Sequence, residues 1–540
     1  MSSQESADPG VQSDLDLDGR SDVAVKDGLI ASLAYFAYEG VAVVRLSMKP
    51  SGIARLMREV GASPSIITRR RFLQAALAAG AALMLPQRFP SAAKSGSRPR
   101  VLVIGAGFAG LSCAYQLMRA GADVQVLEAR NRVGGRVFTL NNFVPGKIVE
   151  AGAELIGGNH PTWMAYAKEF GLEMRDVSDE EGPSSPIVIG GKSYRGTEAK
   201  ALFEEIVRSL ARMNADARAI NLQRPWLTPD AERLDRLSLA QVVATWPVEP
   251  HVRAATLALL SNDNVLDPLQ ASYLALLSNI AGGGIEAYWS ESEIYRCASG
   301  NQALAVKLAS AIGSERIQLR SPISRVELKA DAVQVTTARG LRLQADALVI
   351  TAPPNTWDQL GIEPPLPRDL GAYAGPAIKY LSLVNKPFWH DLVVEPNALT
   401  DTPVGEFWEA TDGQRTSPND PACLTVFSGG QAANSCLQVP RGQRDQQMTR
   451  WIETVYPGYG RFAGRRLFMA WPEDRWTRCG YTSPTLGQVT SLYPRLDQGI
   501  QDRVFFAGEF TSLLFTGFME GGLHSGAQLA RKLATAWNLV

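Results

Sequence analysis

Residues 101–139 constrain the fold of this 540-residue chain more than any other stretch. They open with four consecutive apolar residues, as is typical of a strand buried on both faces of a parallel sheet. Gly105, Gly107 and Gly110 follow at once and lead into a helical pattern. Glycines at this spacing permit a tight turn, the close approach of a pyrophosphate, and contact between helix and strand. The stretch therefore predicts a strand–turn–helix unit with an anion at the helix N-terminus.

An acidic residue lies where a dinucleotide-binding unit needs one. A second strand, predicted over 123–127, ends at Glu128, about 20 residues past the glycines. A carboxylate at that place suits the ribose hydroxyls of an adenine dinucleotide. Because strand, helix, second strand and acid occur in order, we predict dinucleotide binding rather than an ordinary glycine turn.

Further motifs resemble those of one known family, the flavin amine oxidases, which include monoamine, polyamine and L-amino acid oxidases. The matching segments are ARNRVGGR (129–136), VEAGAELIGG (149–158), AIKY (377–380) and TGFMEGG (516–522). The resemblance covers most of residues 98–536. It implies an α/β fold, in which a three-layer, Rossmann-like FAD-binding domain is built from separated segments and carries an inserted α+β substrate-binding domain.

The division of the chain follows from these matches. Residues 160–290 have helical periodicity and no cofactor motif, and alternating segments between 316 and 344 predict an antiparallel meander. The predicted parts are an irregular or disordered N-terminal extension (1–67), a Tat-like signal and linker (68–97), the FAD-binding domain (98–158, 291–358 and 495–540) and the substrate-binding domain (159–290 and 359–494).

The resemblance also implies which residues hold FAD. Arg130 and Arg136 offer charge-assisted hydrogen bonds to phosphate. Gly480 stands in the place of the flavin-linked cysteine of monoamine oxidases, and Cys479 is one residue out of register, so we predict noncovalent FAD. The predicted cofactor contacts are Gly105, Gly107, Ala109, Gly110, Glu128, Ala129, Arg130, Gly135, Arg136, Gly152, Ala153, Glu154, Ile323, Gly508, Glu509, Phe518 and Met519.

Catalytic residues are predicted from the same alignment of motifs. Lys379 matches the family lysine that holds a water beside flavin N5, where it could assist oxygen reduction. Tyr481 and Phe518 match the aromatic cage through which the amine passes. The predicted catalytic residues are Lys379, Tyr481, Phe518 and Trp471, and the predicted substrate contacts are Glu154, Leu155, Tyr288 and Tyr481.

The predicted reaction is FAD-dependent oxidation of a C–N bond. Because residues 154–163 and 295–302 look more similar to bacterial and fungal L-amino acid oxidases than to polyamine oxidases, we favour L-amino acids, oxidised with O2 to a 2-oxo acid, ammonia and hydrogen peroxide. The alternative is a monoamine or polyamine oxidase giving an aldehyde. Leu155 replaces the arginine of animal L-amino acid oxidases, and Glu154 could bind a distal ammonium. A flavin-dependent desaturase, an amino-acid 2-monooxygenase and a non-catalytic flavoprotein remain open.

Composition and the N-terminus bear on partners and location. The 54 basic and 54 acidic side chains balance, which argues against a nucleic-acid partner. Five cysteines without CxxC pairs and four histidines without HExxH spacing predict no metal site. The partners are then a small amine or amino acid and O2, with a homodimer left open.

The N-terminal part of the chain bears on location. Twin arginine at 69–70 before an Ala-rich run predicts Tat export to the periplasm or medium, or a cytoplasmic protein if the signal is not functional. The apolar run 29–44 is short for a stable membrane span.

Overall fold

A five-stranded parallel sheet carries the predicted glycine motif. The structure, a computed structural model, describes residues 98–178, 184–367 and 369–539. The apolar strand at 101–104 lies in the middle of this sheet and is almost completely buried, as its sequence predicts. The strands, in spatial order, are Val504–Phe506, Ala347–Ile350, Arg100–Ile104, Asp123–Leu127 and Ile317–Gln318.

The first and last helices of the described chain meet beside this sheet. A Cβ at Gly526 would lie 2.2 Å from the carbonyl oxygen of Ala109, so the two helices approach at backbone distance. Their N-termini are close together, because a Cβ at Gly522 would lie 3.5 Å from the Cβ of Phe108. The helices of this part are Phe108–Arg119, Pro161–Phe170, Gln302–Ile312 and Met519–Ala536.

Two details of this part differ from the sequence-based expectations. Helix Pro161–Phe170 falls in the predicted substrate-binding range, yet Trp163 and Tyr166 pack in the core beneath the parallel sheet. The first segment of the predicted meander instead supplies Ile317–Gln318 to the parallel sheet. The meander itself comprises Ile323–Leu328, Val333–Thr337 and Arg342–Ala345, joined by Ile362–Glu363.

A second large sheet in the described chain has seven strands and is mostly antiparallel. The prediction that residues 160–290 look helical is wrong at two places in the described chain: strand Met174–Asp176 pairs outside this sheet, and a hairpin joins this sheet. Gly190 and Gly191, both with positive φ (59° and 75°), form its turn, which is a strong local hairpin signal. The strands, in spatial order, are Ala463–Ala470, Ala377–Val384, Ala422–Gly429, Glu406–Glu409, Ala398–Thr400, Ile187–Ile189 and Lys192–Tyr194.

Helices and two small ribbons complete the described chain. Helix Gly196–Leu210 is amphipathic and buries Leu202, Phe203 and Ile206. The ribbons pair Thr139–Asn141 with Ile148–Glu150 and Met174–Asp176 with Tyr295–Cys297. The remaining helices are Met213–Ala217, Ala231–Arg236, Leu239–Ala244, Pro250–Asp263, Tyr273–Gly282, Glu286–Glu291, Gly430–Gln438, Arg444–Val455, Gln488–Ser491 and Tyr493–Gln498.

The Tat-like segment and the apolar run 29–44 lie outside the described residues, so export stays a prediction. Over the described ranges, no helix combines the length and the apolar character that a membrane crossing requires. The same ranges contain no group of three or more His, Cys, Asp or Glu side chains that could hold a metal ion. The five cysteines are all buried and unpaired.

Candidate active site

One cavity of about 420 Å³ gathers the predicted site. Every predicted cofactor, catalytic and substrate residue lines it except Gly110. A Cβ at Gly110 would lie 2.0 Å from the carbonyl oxygen of Gly105, so this glycine lets the helix pack on the strand. We call the wall formed by residues 105–109, 128–136, 150–154 and 379 the cofactor end. The substrate end is the wall formed by Asp263, Tyr288, Glu293, Glu406, Tyr481 and Phe518.

Two glycine loops touch through backbone alone at the cofactor end. The Gly134 N–H donates to the Ala106 carbonyl at 2.8 Å, and a Cβ at Gly135 would lie 3.2 Å from the Cα of Gly107. Gly105 has φ +108°, which other residues rarely adopt. The loops therefore leave an open cradle in front of the N-terminus of helix Phe108–Arg119, whose first N–H groups have no intrahelical partner. This cradle fits the pyrophosphate of FAD.

Glu128 lies buried at the end of the second strand, beside that cradle. Its carboxylate accepts the Ala106 N–H at 2.7 Å and the Arg130 N–H at 2.8 Å. An ionised carboxylate can accept about four hydrogen bonds. Glu128 thus retains acceptor sites that fit the ribose hydroxyls of a dinucleotide.

The two arginines predicted to bind phosphate have carboxylate partners that the sequence did not predict. Arg130 donates to Asp474 at 2.5 Å and to Thr477 at 2.7 Å. Arg136 donates to Glu509 at 2.8 Å. Because a guanidinium has five N–H donors, both side chains keep donors for a phosphate while they are paired.

Glu509 connects the two ends of the cavity. Besides Arg136, its carboxylate accepts the Thr482 N–H at 3.2 Å, the Thr482 hydroxyl at 3.0 Å and the Gly517 N–H at 3.1 Å. Thr482 directly follows Tyr481, and Gly517 directly precedes Phe518. One buried carboxylate therefore ties both predicted cage segments to the cofactor end.

The aromatic pair is fixed by its neighbours. The Tyr481 hydroxyl donates to the Asp263 carbonyl oxygen at 2.9 Å. Phe518 packs edge-on against Tyr288 at 6.3 Å and against His160 at 5.2 Å between ring centroids. Burial lowers the pKa of His160 to about 3, so it packs as a neutral ring. Tyr481 and Phe518 thus present rigid aromatic surfaces to the cavity.

Lys379 is held at the cofactor end by three oxygen atoms. Its Nζ donates to Glu154 Oε2 at 2.5 Å, to the Glu150 carbonyl at 2.9 Å and to the Gly152 carbonyl at 3.0 Å. Glu154 Oε1 accepts from Arg296 at 2.8 Å. Burial alone would raise the pKa of Glu154, but Lys379 and Arg296 lower it below its usual value. Both Glu154 oxygens therefore already accept hydrogen bonds from cations of the protein, a pairing that the sequence analysis did not predict.

Position 480 has no room for a flavin-linked cysteine. A Cβ at Gly480 would lie 2.4 Å from the Cβ of Ala377. Neighbouring Cys479 is fully buried, and burial raises the pKa of its thiol to about 12. Trp471 lies on the same wall, where its Nε1 donates to the Ala151 carbonyl at 3.1 Å.

Three acids at the substrate end escaped the sequence analysis. Burial raises the pKa of Asp263 to about 7, although its side chain is open to the cavity. Burial first, and then Asp263 and Glu154, raise the pKa of Glu293 to about 8. Burial and repulsion from Asp263 and Glu293 hold the pKa of Glu406 well above its usual range. Glu406 hydrogen-bonds to Asp263, and its Oε1 is buried without a hydrogen-bond partner. Among the described residues, no cation pairs with these three acids as Lys379 and Arg296 pair with Glu154.

The three acids could not be found from local sequence patterns. Asp263 ends helix Pro250–Asp263, Glu406 begins strand Glu406–Glu409, and Glu293 lies in a loop. No motif marks any of the three acids, and only the tertiary fold brings them to one wall.

Comparison with known proteins identifies the family of the chain. The family model of flavin-containing amine oxidoreductases matches residues 108–534. A flavin-containing amine oxidase from Oncorhynchus mykiss is 25% identical over 80% of this chain and 85% of its own length. Flavin-containing amine oxidase B of Homo sapiens is 23% identical over 81% of this chain and 86% of its own length.

Solved structures show the same fold. A putrescine oxidase with bound putrescine superposes with a TM-score of 0.72 at 21% identity, covering 81% of this chain and 99% of that chain. Cyclohexylamine oxidase from Brevibacterium oxydans superposes with a TM-score of 0.71 at 22% identity, covering 82% of this chain and 100% of that chain. These matches confirm the predicted α/β fold with its FAD-binding and substrate-binding parts. Taken with the family match over most of the chain, they show that this protein belongs to the flavin-containing amine oxidoreductases and is an FAD-dependent amine oxidase.

Proposed function

We propose that the protein oxidises a primary diamine or polyamine with O2, giving an aminoaldehyde, ammonia and hydrogen peroxide. The observation that carries this proposal is the set of three acids, Asp263, Glu293 and Glu406, at the same end of the cavity as Tyr481 and Phe518. A substrate with one amine between the aromatic rings then has its second ammonium among the carboxyl groups.

A cationic group of the substrate would give these acids the cationic partner that the described residues do not provide. Their raised pKa values express the cost of placing several carboxylates together in a buried wall. An ammonium within about 4–6 Å favours the ionised carboxylate, so binding of the second amine relieves that cost. The buried, unpartnered Glu406 Oε1 is a ready acceptor for such a group.

The same wall disfavours an L-amino acid, which the sequence analysis preferred. A substrate carboxylate there would meet like charges and would need a bidentate arginine to offset them. Arg130 and Arg136 line the cavity at the cofactor end, where they pair with Asp474 and Glu509. We therefore propose the amine alternative; the matched relatives named above are amine oxidases as well.

The described residues bind, orient and shield the amine. FAD, when bound, accepts the hydride equivalent released as the C–N bond becomes an imine. Tyr481 and Phe518 fix the direction in which the neutral amine enters, because each ring is held by its own contacts. The apolar and aromatic wall excludes water from the reacting carbon until the imine has formed.

The test compares chain-length-matched substrates on the holoenzyme. Peroxide release would be measured with putrescine, spermidine, butylamine and a panel of L-amino acids. We expect putrescine or spermidine to have a kcat/KM at least about tenfold above that of butylamine, because a hydrogen bond to a charged group contributes about 1.5–3 kcal/mol and about 1.4 kcal/mol is a factor of ten. Turnover of L-amino acids alone would refute the proposal.

A matched pair of variants locates the effect. Glu293→Gln should raise the KM for putrescine about tenfold and change the KM for butylamine less than about twofold. Glu291→Gln, two residues earlier and exposed, is the control and should behave as the wild type. Equal losses for both amines in Glu293→Gln would show that Glu293 does not bind the second ammonium.

A further inference from the structure

We propose that Glu154 is a positioning residue that fixes Lys379 as a permanent cation at the cofactor end, and that Arg296 and Asp412 hold Glu154 in place. Resemblance to the family points to Lys379 and Glu154, but their contact with each other and the roles of Arg296 and Asp412 come from the structure alone. The proposal concerns the cofactor end, so it does not depend on which amine is oxidised.

The hydrogen bonds of Lys379 require its charged form. Its Nζ reaches three acceptors, Glu154 Oε2 at 2.5 Å and the carbonyls of Glu150 and Gly152 at 2.9 and 3.0 Å. An ammonium has three N–H donors, whereas a neutral amine has two. With all three acceptors inside the protein, loss of the proton would leave a buried acceptor unsatisfied.

Glu154 is itself locked from the opposite side. Its Oε1 accepts from Arg296 at 2.8 Å, and Arg296 pairs in turn with Asp412 and donates to the Glu409 carbonyl at 3.1 Å. The side chains of Lys379, Glu154, Arg296 and Asp412 are 6%, 3%, 5% and 2% exposed. Two buried cations therefore face two buried anions, and Glu154 cannot leave Lys379 without stranding both cations.

Removal of the Glu154 charge should affect the protonation of Lys379 rather than that of Arg296. Glu154→Gln leaves two cations facing Asp412 alone. Arg296 cannot release its proton, because a guanidinium stays charged in proteins, whereas a buried lysine can. Of the two cations, Lys379 is then the one whose charge can change with pH in the variant.

The test reads that charge without turnover. Absorption spectra of the bound flavin would be recorded from pH 6 to 10, without substrate, for wild type, Glu154→Gln, Lys379→Met and the double variant. Asp263, Glu293 and Glu150, with pKa values of about 7, 8 and 7, titrate in this range in every variant. We expect one further transition in Glu154→Gln that the wild type, Lys379→Met and the double variant lack, because a charge on the cavity wall perturbs the chromophore. Glu473→Gln removes a carboxylate from another buried arginine, Arg444, and is the matched control, with the wild-type transitions alone expected.

A second measurement covers the case in which Glu154→Gln does not fold with FAD. Asp412→Asn keeps Glu154 but removes a partner of Arg296, and should show the same transition with smaller amplitude. Thermal unfolding of the cofactor-free proteins adds a readout that needs no flavin: relative to the double variant, Glu154→Gln should lose stability as pH falls from 10 to 6, as Lys379 is recharged beside Arg296.

Two results would overturn the proposal. One is a folded Glu154→Gln whose spectrum titrates as the wild type does, which shows that other groups fix the Lys379 charge. The other is an added transition in Glu154→Gln that persists in the double variant, which assigns the titration to another residue. Because these spectra are taken without substrate, failure here is separate from failure of the diamine proposal, which appears in the ratio of KM values.

Discussion

The two ends of the cavity treat the same kind of side chain in opposite ways. At the cofactor end, Glu154 lies between Lys379 and Arg296, and its pKa is lowered. At the substrate end, Asp263 and Glu293 also lie in the wall of the cavity, but the desolvation there raises their pKa values to about 7 and about 8. Burial acts in the same direction on all three carboxyl groups. The partner cation decides the outcome.

The two ends therefore differ in charge balance: partners within the chain balance the charges at the cofactor end, whereas a ligand would balance those at the substrate end. The cofactor end balances its charges internally, so its geometry is set before any substrate arrives. The substrate end keeps an uncompensated acidic wall, which costs stability and is relieved by a cationic ligand. A mutation that removes a charge partner at the cofactor end should therefore lower stability, whereas one that removes an acidic charge at the substrate end should raise it.

The largest effect is expected from unbalancing the cofactor end. Arg296→Met leaves Glu154 and Asp412, two buried carboxylates, with Lys379 as their cation. Removal of one partner from a buried ion pair costs about 3–5 kcal/mol, because the remaining charge stays desolvated. Urea unfolding at pH 7 measures the loss.

The control for this change is an ion pair at the surface. Arg119→Met breaks the pair with Glu169, whose side chains are 55% and 37% exposed, and should cost less than about 1 kcal/mol. If Arg296→Met were as mild as Arg119→Met, the cofactor end would not depend on internal charge balance, and the contrast between the two ends would disappear.

The cofactor end could be predicted because its chemistry is local in sequence. A buried strand, three glycines and Glu128 lie within 28 residues, from 101 to 128, and each position follows from backbone geometry alone. What the sequence missed there is long-range. Asp474 and Glu509 lie 344 and 373 residues along the chain from Arg130 and Arg136, and nothing in the motif indicates that they pair.

The substrate end could be predicted only where family motifs supplied Tyr288, Tyr481 and Phe518. Its acids come from a helix end, a loop and a strand start, and an isolated acid in such places is more often a solvated surface residue. The ion pair between Glu154 and Arg296 was not predicted from the sequence for the same reason. Contacts between distant segments, rather than local pattern, decide which carboxylates remain without a cation.

A smaller effect tests the close packing of the cofactor end. Gly480→Cys places a side chain where a Cβ meets the Ala377 Cβ at 2.4 Å and its backbone nitrogen at 2.9 Å. Overpacking of this kind costs about 1–3 kcal/mol. We expect the variant to have a lower thermal stability than the wild type. Neither protein should give a flavin-fluorescent band on a denaturing gel. A fluorescent protein band from the variant would mean that the wall yields at this position and that the cofactor end is less rigid than we infer.

The smallest effect, and the one with opposite sign, comes from the substrate end. The folded-state pKa of Glu293, about 8, lies above its usual value of 4.5. The folded protein therefore binds more protons than the unfolded chain between these values, and stability falls as pH rises through this window. Glutamine resembles the protonated acid, so Glu293→Gln should match the wild type near pH 4.5 and exceed it at pH 9. The gain should be about 1–2 kcal/mol, since water in the cavity screens part of the charge.

Urea unfolding of the substrate-free protein at pH 4.5 and pH 9 measures this difference, in which the titration of all other groups cancels. Putrescine at saturating concentration should remove the advantage of Glu293→Gln at pH 9, because the bound ammonium stabilises the wild-type carboxylate. A variant that stays more stable with putrescine present would show that the acidic wall does not receive the second amine. A variant that is less stable at pH 9 would show that Glu293 already has a cation, as Glu154 does, and the two ends would no longer differ.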